Sequence, residues 1–196
     1  NFTEPADYNQ VLVDILSHEN MASREPIFEQ YDKQVQGRVH TETGLADSGV
    51  MAPFNSEKYP EEIRNVGIAL STDHNPRYGL IDPYWGGVNS VVESMRNVAS
   101  VGATPHALSD CLCFGNPEKV YQMWEFVEAV RGVADACHAI TLKDHPNHPT
   151  PIIAGNVSFY NESKNGAIPP SPIVSCLGRL KDVNKTVPAH FQETGS

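Results

Sequence analysis

Two segments combine a strand-like apolar pattern with small and polar residues at the point where the strand should end. The first carries Asp110 and runs into a Phe-Gly-Asn-Pro turn, and the second is the run Gly-Asn-Val-Ser that starts at Gly155. Ligands of open sheets gather at the carboxyl ends of strands. A glycine at 155 lets a phosphate or base approach the backbone, Asn156 offers magnesium an amide oxygen, and Ser158 offers a substrate a hydroxyl. The alternative, that Asn156 and Ser158 are turn residues satisfying their own backbone, stays open on the residues alone.

A second candidate site consists of oxygen-bearing side chains on and near one helix. Glu93 and Asn97 are four residues apart, so they project from the same helix face one turn apart. Asp47 would join them from a loop as a third hard oxygen ligand for a metal ion. The alternative is a solvated helix face with a side-chain hydrogen bond.

The helix that carries Glu93 is predicted to open at Gly86-Gly87 and to end at Gly102. Free backbone N–H groups at such a helix start suit a phosphate. The alternative is that the two glycines only turn the chain, and the run is no P-loop because it lacks the Lys-Ser/Thr ending. The apolar stripe of this helix comprises Val88, Val91, Val92, Met95 and Val98.

Periodicity in the rest of the chain predicts the elements that must position these residues. Helices are predicted over 6–20, over 24–35, and from Pro117 to about Ile140 with Val120, Trp124, Val127 and Val130 facing inward. Strands are predicted over 65–73, 106–113, 151–161 and 171–180, with connections over 74–84 and 141–150. The order of helices and strands indicates an α+β (mixed α/β) fold.

Composition excludes several classes of protein. The 196 residues carry 14 Lys+Arg against 24 Asp+Glu, a formal net charge of −10. That balance argues against a nucleic-acid surface, which needs a basic stripe, but it does not exclude nucleotides bound through magnesium. No apolar run approaches the roughly 18 residues of a membrane span. The four cysteines are expected to be reduced core or near-core thiols of a cytoplasmic protein.

Several longer runs make a family recognisable. In this order the chain contains ASREPIFEQYDKQVQG, ALSTDHNPRYGLIDPYWGG, VVESMRNVASVGATPHALSDCLCFGNPEK and AGNVSFYNES. Over about residues 22–183 these runs resemble the phosphoribosylformylglycinamidine synthases. Such chains have two halves, each similar to aminoimidazole ribonucleotide (AIR) synthetase, and this sequence is similar to the N-terminal domain of the second half. The resemblance implies a β-sheet with flanking helices that pairs with a second such domain into a barrel.

The resemblance also implies an activity. The family is a ligase of de novo purine biosynthesis that converts formylglycinamide ribonucleotide, ATP and glutamine-derived ammonia into formylglycinamidine ribonucleotide, ADP and phosphate. As one domain of such an enzyme, this chain is expected to be inactive alone. The alternative is a degenerate structural half-domain that holds Mg-ADP without turnover.

Site residues follow from the resemblance position by position. The residues that match ATP contacts of the family are Asp110 and Gly155. Asn156 matches a residue linked to magnesium, and Ser158 matches one that touches the ribonucleotide substrate. ATP and magnesium are therefore the implied cofactors.

The chain departs from the first half of the family at two positions. Asp73 stands where that half has its catalytic histidine, and Asn97 stands where it has a magnesium-binding aspartate. This half therefore resembles the degenerate partner, and no catalytic residue is assigned within it. In large versions of the enzyme that partner holds a non-reacting nucleotide, with magnesium bound partly through residues that match Asp47, Glu93 and Asn97.

The family resemblance also implies a domain organisation and a set of partners. Residues 1–21 are predicted to form a helical arm, 22–187 the AIR-synthetase-like domain, and 188–196 a C-terminal tail. The implied partners are the substrate ribonucleotide, the remainder of the synthase chain, a glutaminase subunit and a small accessory subunit. No nucleic-acid or membrane partner is expected. The isolated chain is expected to form a homodimer in place of its missing twin domain.

Overall fold

The computed structural model describes residues 3–42 and 44–195. Contacts divide the chain into two compact units, residues 1–33 and residues 34–196. The boundaries expected from the family resemblance, at 21/22 and 187/188, stay predictions.

The first unit contains two helices, α1 (Tyr8–Ser17) and α2 (Glu25–Phe28). The side chain of Asp7 caps α1 by accepting the N–H of Asn9 at 2.9 Å, and the predicted helix over 6–20 is confirmed in this shorter form. The predicted helix over 24–35 is wrong beyond Phe28. No residue of α2 is buried, and so short a helix is marginal without packing.

The second unit is built on a mixed sheet with two long helices. Its strands are β1 (Val39–Thr41), β2 (Gly49–Met51), β3 (Gly67–Asp73), β4 (Thr104–Cys113), β5 (Thr141–Leu142), β6 (His145–Pro149), β7 (Ile152–Ser158), β8 (Glu162–Ser163), β9 (Gly166–Ala167) and β10 (Ser171–Leu180). Its helices are α3 (Pro76–Ile81), α4 (Pro83–Ser100) and α5 (Val120–Ala139). Six of the strands form one sheet in the order β1-β2-β3-β10-β4-β7.

One pair of neighbours in this sheet is parallel, which decides where the site lies. Strands β4 and β7 run parallel, whereas the pairs β1–β2, β2–β3, β3–β10 and β10–β4 are antiparallel. Helix α5 lies between β4 and β7 in sequence, as a parallel crossover requires. The predicted α+β fold, a sheet flanked by helices, is confirmed.

Helices α4 and α5 pack together and cover one face of the sheet. Three members of the predicted α4 stripe, Val91, Met95 and Val98, are buried as expected. The core they join includes Val50, Ala69, Leu108, Val133, Ala136, Val174, Cys176 and Leu180. Within the described part of the chain, no helix is both long enough and apolar enough to cross a membrane.

The start of α4 differs from the prediction. The helix begins at Pro83, and the side chain of Asp82 caps it by accepting the N–H groups of Tyr84 and Trp85. Gly86 and Gly87 therefore lie buried inside the helix, where the Gly86 N–H donates to the Asp82 carbonyl at 2.9 Å. The expectation of a phosphate site at a Gly86-Gly87 helix start is wrong.

Small residues instead let α4 and α5 approach closely. A Cβ placed on Gly87 would lie 2.3 Å from the carbonyl oxygen of Ala129 in α5. A Cβ on Gly132 would lie 2.0 Å from the carbonyl oxygen of Tyr84 in α4. Backbone atoms cannot rotate away as side chains do, so these glycines fix the distance between the two helices.

The inward face of α5 also differs from the prediction. Val120, Trp124 and Val127 have exposed fractions of 88%, 46% and 47%, so their expected burial is wrong, whereas Val130 is partly buried. The buried residues of α5 are Glu125, Ala129, Gly132, Val133, Ala136 and Cys137. Most of these are small, because the close crossing with α4 leaves no room for a large side chain.

Two predicted connections contain regular structure. Within 74–84, Asn75 caps α3 by accepting the N–H of Arg77, and Pro76 occupies the first helical position. Within 141–150, strands β5 and β6 form an antiparallel hairpin. Both elements are short, so neither shows the periodicity that identifies longer helices and strands.

Candidate functional site

The parallel strands β4 and β7 bring together the residues singled out at their ends. Asp110 of β4 is the register partner of Gly155 of β7. Farther along, Cys111 is opposite Asn156 and Cys113 is opposite Ser158. Because parallel strands end at the same edge of a sheet, residues 45 positions apart in sequence become direct neighbours.

The Asp110 carboxylate occupies space that a side chain on β7 would fill. A Cβ on Gly155 would lie 2.5 Å from Asp110 Oδ1, so only glycine leaves this carboxylate where it is. Partial burial raises the pKa of Asp110, and a hydrogen bond from the backbone N–H of Asn156 opposes that shift. The Asp110 side chain lies on the helix-covered face, close enough to help raise the pKa of the buried Cys137 thiol of α5.

Asn156 projects from the opposite face of the sheet edge. Its side-chain Nδ2 lies 3.7 Å from the sulfur of Cys111, and successive residues of a strand alternate between faces. The side chain of Asn156 is exposed, so its amide oxygen is available to a ligand. The structure therefore joins Asp110 to Gly155 on one face and places Asn156 on the other.

The turn after β7 holds Ser158 in a network that the sequence analysis did not identify. Asn161 Nδ2 donates to the Ser158 carbonyl at 2.8 Å, to Ser158 Oγ at 3.1 Å and to the Phe114 carbonyl at 3.0 Å. Tyr160 adopts a φ of 59°, an uncommon conformation for a non-glycine residue that is found at functional sites. One asparagine thus ties the ends of β4 and β7 together beside the candidate substrate residue.

The residues of the second candidate site are only partly brought together. Asn97 Nδ2 donates to Asp73 Oδ1 at 2.8 Å, and Ser71 Oγ donates to Asp73 Oδ2 at 2.7 Å. Both oxygens of Asp73 are therefore engaged. The carboxylates of Asp47 and Glu93 make no hydrogen bond or ion pair within residues 3–42 and 44–195. The same part of the chain contains no group of three His, Cys, Asp or Glu side chains placed to hold a metal ion.

His74, which follows Asp73, is a feature that the sequence analysis passed over. Both ring nitrogens are buried and have no hydrogen-bond partner among the described residues. Burial lowers the pKa of His74 from the ordinary value of 6.5, because the charged imidazolium is poorly solvated there. Little in the sequence indicated that His74 is buried in this way, because a single histidine after a strand is compatible with many environments.

Acidification should destabilise the chain through His74. Its folded-state pKa is below its unfolded value, so the unfolded chain binds the proton more readily and stability is lost as the pH falls below about 6.5. We expect the melting temperature between pH 7 and pH 5 to fall less in His74→Phe than in the parent chain. The exposed His148 supplies the control, because His148→Phe should keep the parental slope. Equal slopes in all three proteins would contradict the assignment.

Comparison with known proteins shows which family the chain is similar to. Residues 47–180 match the family described as "AIR synthase related protein, N-terminal domain". A relative from Methanothrix thermoacetophila, "Phosphoribosylformylglycinamidine synthase subunit PurL", is 51% identical over 191 residues, which are 97% of this chain and 24% of the relative. The chain thus spans about a quarter of the length of such relatives.

Solved structures of PurL from Thermotoga maritima are similar over most of the chain. The structure of PurLQS has a TM-score of 0.67 at 29% identity, covering 85% of this chain and 25% of that one. PurL complexed with ATP has a TM-score of 0.63 at 27% identity, covering 85% and 24%. PurL complexed with FGAR has a TM-score of 0.59 at 26% identity, with the same coverage. The chain belongs to the AIR synthase related proteins and contains the N-terminal domain of that family.

Proposed function

We propose that this chain forms part of a phosphoribosylformylglycinamidine synthase, a ligase of purine biosynthesis. That enzyme converts formylglycinamide ribonucleotide, ATP and glutamine-derived ammonia into formylglycinamidine ribonucleotide, ADP and phosphate. The observation that carries the proposal is the pairing of Asp110 with a glycine at 155, which keeps a carboxylate at the edge where two parallel strands end. Relatives named as this synthase match nearly the whole chain, which supports the same conclusion.

The proposal gives each site residue a binding role. Asp110 accepts a hydrogen bond from the nucleotide, and Gly155 leaves room for that contact. The hydroxyl of Ser158, oriented by Asn161, binds the ribonucleotide substrate. These residues position the reactants. Enzymes accelerate phosphoryl transfer mostly by such positioning and by electrostatic stabilisation.

Magnesium fits the donor set only as an ion held mainly by the nucleotide. Asn156 offers one neutral amide oxygen, and Asp110 lies on the other face of the strand edge. Magnesium bound to nucleotides commonly takes one or two protein oxygens and several phosphate oxygens. When bound, it would neutralise phosphate charge, and Asn156 would orient it from the protein side.

The general base belongs elsewhere in the proposed enzyme. The reaction proceeds by phosphorylation of the substrate amide oxygen, after which ammonia attacks the activated carbon and phosphate leaves. Asp73, at the position of the family's catalytic histidine, has both oxygens engaged by Ser71 and Asn97. The chain therefore supplies binding groups, and it should show no turnover alone.

The test is a calorimetric titration of the chain with Mg-ADP. Asp110→Asn should weaken binding roughly fivefold, because a neutral acceptor replaces a charged one. The same variant should be no less stable than the parent at pH 7. Burial raises the folded-state pKa of Asp110, so ionising it costs stability above that pKa, and asparagine removes the cost.

Variants of the other candidate site provide the matched control. Asp47→Ala/Glu93→Ala removes two carboxylates without touching the β4–β7 edge and should leave the affinity unchanged. Loss of binding in this double variant, with full affinity in Asp110→Asn, would support the alternative, a half-domain that holds Mg-ADP at Asp47, Glu93 and Asn97 without turnover. No binding by the parent chain would contradict both assignments.

We propose further that the uncovered sheet pairs with a second domain of the same type to close a barrel. Strand β7 lies at the sheet edge with Ile153 and Val157 exposed by 67% and 51%. Leu70 is exposed by 51% on the face opposite α4 and α5. An edge strand beside exposed apolar residues is a surface that native proteins cover. In the full enzyme the cover is the remainder of the synthase chain, which also works with a glutaminase subunit and a small accessory subunit in the cytoplasm.

The isolated chain should therefore form a homodimer. Light scattering at tens of micromolar, a rough working range for a weak interface, should give twice the chain mass. Val157→Lys places a charge on the edge strand and should shift the population to monomer. A parent chain that is monomeric throughout this range would contradict the pairing.

A further inference from the structure

Two cysteine side chains meet on the sheet face opposite α4 and α5. Cys111 and Cys113 are alternate residues of β4, and their sulfurs are 3.6 Å apart. Leu112 between them is buried against Ala129 of α5, which places the two thiols on the other side of the strand. Both are free and partly exposed, whereas Cys137 and Cys176 are buried.

The separation of the two sulfurs permits a covalent bond after a small movement. A disulfide needs sulfurs about 2.05 Å apart and Cα atoms about 4.4–6.8 Å apart. Alternate residues of an extended strand have Cα atoms roughly 6.6–6.8 Å apart, at the upper end of that range. A slight local bend of β4 would bring the sulfurs into bonding distance. A bond made under such constraint is easier to reduce than a structural disulfide.

We propose that Cys111 and Cys113 form a redox-sensitive dithiol that closes reversibly into an intrastrand disulfide in the presence of a low-molecular-weight disulfide such as oxidised glutathione. One cysteine sulfur attacks the reagent, forms a mixed disulfide and releases one reduced glutathione. The second cysteine sulfur then attacks the mixed disulfide and releases the other. The protein loses two electrons and two protons, and one oxidised glutathione becomes two reduced molecules.

The dithiol lies beside the candidate magnesium residue. Cys111 is the register partner of Asn156, and the Cys111 sulfur lies 3.7 Å from Asn156 Nδ2. Closing the disulfide draws that sulfur toward Cys113 and removes the contact with the amide. The oxidised chain should therefore hold Mg-ADP less well. This consequence rests on the proposed function, whereas formation of the disulfide does not.

Mass spectrometry can locate the bond without ambiguity. Trypsin releases one peptide, residues 97–119, that contains Cys111 and Cys113 and neither of the other two cysteines. In buffer dominated by oxidised glutathione, we expect this peptide to lose two hydrogen atoms and to resist alkylation. Reduced glutathione in excess should restore both reactive thiols. The native chain is treated before digestion, so the folded strand decides the outcome.

Single substitutions supply the controls. Cys111→Ser and Cys113→Ser should each stop at the mixed disulfide with glutathione, because no second thiol is in reach. Cys137→Ser/Cys176→Ser should behave like the parent chain. The proposal is overturned if both thiols of the parent stay alkylatable, if each carries its own glutathione, or if the oxidised product is a cross-linked pair of chains.

A titration with Mg-ADP then tests the link to the site. The oxidised parent should bind at least about threefold more weakly than the reduced parent. The Cys111→Ser/Cys113→Ser variant should show the same affinity in both buffers. Unchanged affinity in a chain shown to contain the disulfide would overturn the link to Asn156. No binding by the reduced chain would contradict the proposed function and leave the disulfide result standing.

Discussion

Replacing Phe114 by alanine should lower the free energy of unfolding by about 3–5 kcal/mol, the range for removal of a fully buried aromatic side chain. Phe114 has an exposed fraction of 1% and lies edge-to-face with Phe126, their ring centroids 5.3 Å apart. Phe126 in turn contacts Phe159, with centroids 5.0 Å apart. Removing the Phe114 ring would therefore leave a cavity beside Phe126 of α5, at the end of β4.

The matched control is Trp124→Ala, which removes a larger ring from the neighbouring helix α5. Trp124 is 46% exposed, and its ring lies tilted against that of Tyr121 with the ring centroids 5.4 Å apart. Its removal should cost less than about 1 kcal/mol. Urea unfolding followed by circular dichroism measures both losses in the same protein. If Trp124→Ala cost as much as Phe114→Ala, the outer face of α5 would have to be buried in solution, contrary to the structure.

The two long helices show what hydrophobic periodicity can and cannot predict. The stripe on α4 identified Val91, Met95 and Val98 correctly, because apolar residues occupy one face of that helix and polar residues the other. Helix α5 has apolar residues on more than one face, so the pattern did not specify which face is inside. The choice is made by Gly132 and its close approach to the α4 backbone, a tertiary contact that periodicity does not contain.

The sequence predicted the strand ends that form the candidate site but not how the two strands pair. Strand periodicity followed by small and polar residues indicated the ends of β4 and β7. The register that sets Asp110 opposite Gly155 depends on long-range pairing, and only the structure gives it. The same pairing places Asn156 on the face away from Asp110, so residues only one position apart along β7 serve different sides of the edge.

The prediction of a phosphate site at Gly86-Gly87 was wrong because it located the helix start from the two glycines alone. The residue that caps a helix also determines where the helix begins. Asp82, four residues before Gly86, accepts two backbone N–H groups, and Pro83 follows it at the first helical position. Those signals were present in the sequence. Glycine pairs are ambiguous, since they serve turns, anion sites and close helix crossings, and the burial of Gly87 against Ala129 identifies the last of these.

Substituting Gly155 by alanine should weaken binding of Mg-ADP by at least about tenfold, or roughly 1.4 kcal/mol, with little loss of stability. The added Cβ would lie 2.5 Å from Asp110 Oδ1 and 3.1 Å from its Cγ. The carboxylate must then rotate away from its position and give up the hydrogen bond from the Asn156 N–H. Because the obstructed group is the end of a side chain, the strand pairing itself can persist.

Two further variants separate this effect from a general cost of alanine in a strand. Gly49→Ala adds the same methyl group to β2, where the nearest atom is 3.9 Å away, so affinity and stability should both stay at the parental level. Asp110→Ala/Gly155→Ala removes the obstructed carboxylate and should recover any lost stability without recovering affinity. Calorimetry gives the affinities and urea unfolding the stabilities. The double variant has no carboxylate at position 110. If it bound Mg-ADP like the parent chain, Asp110 would not contact the nucleotide, and Gly155→Ala would have weakened binding only through the steric clash.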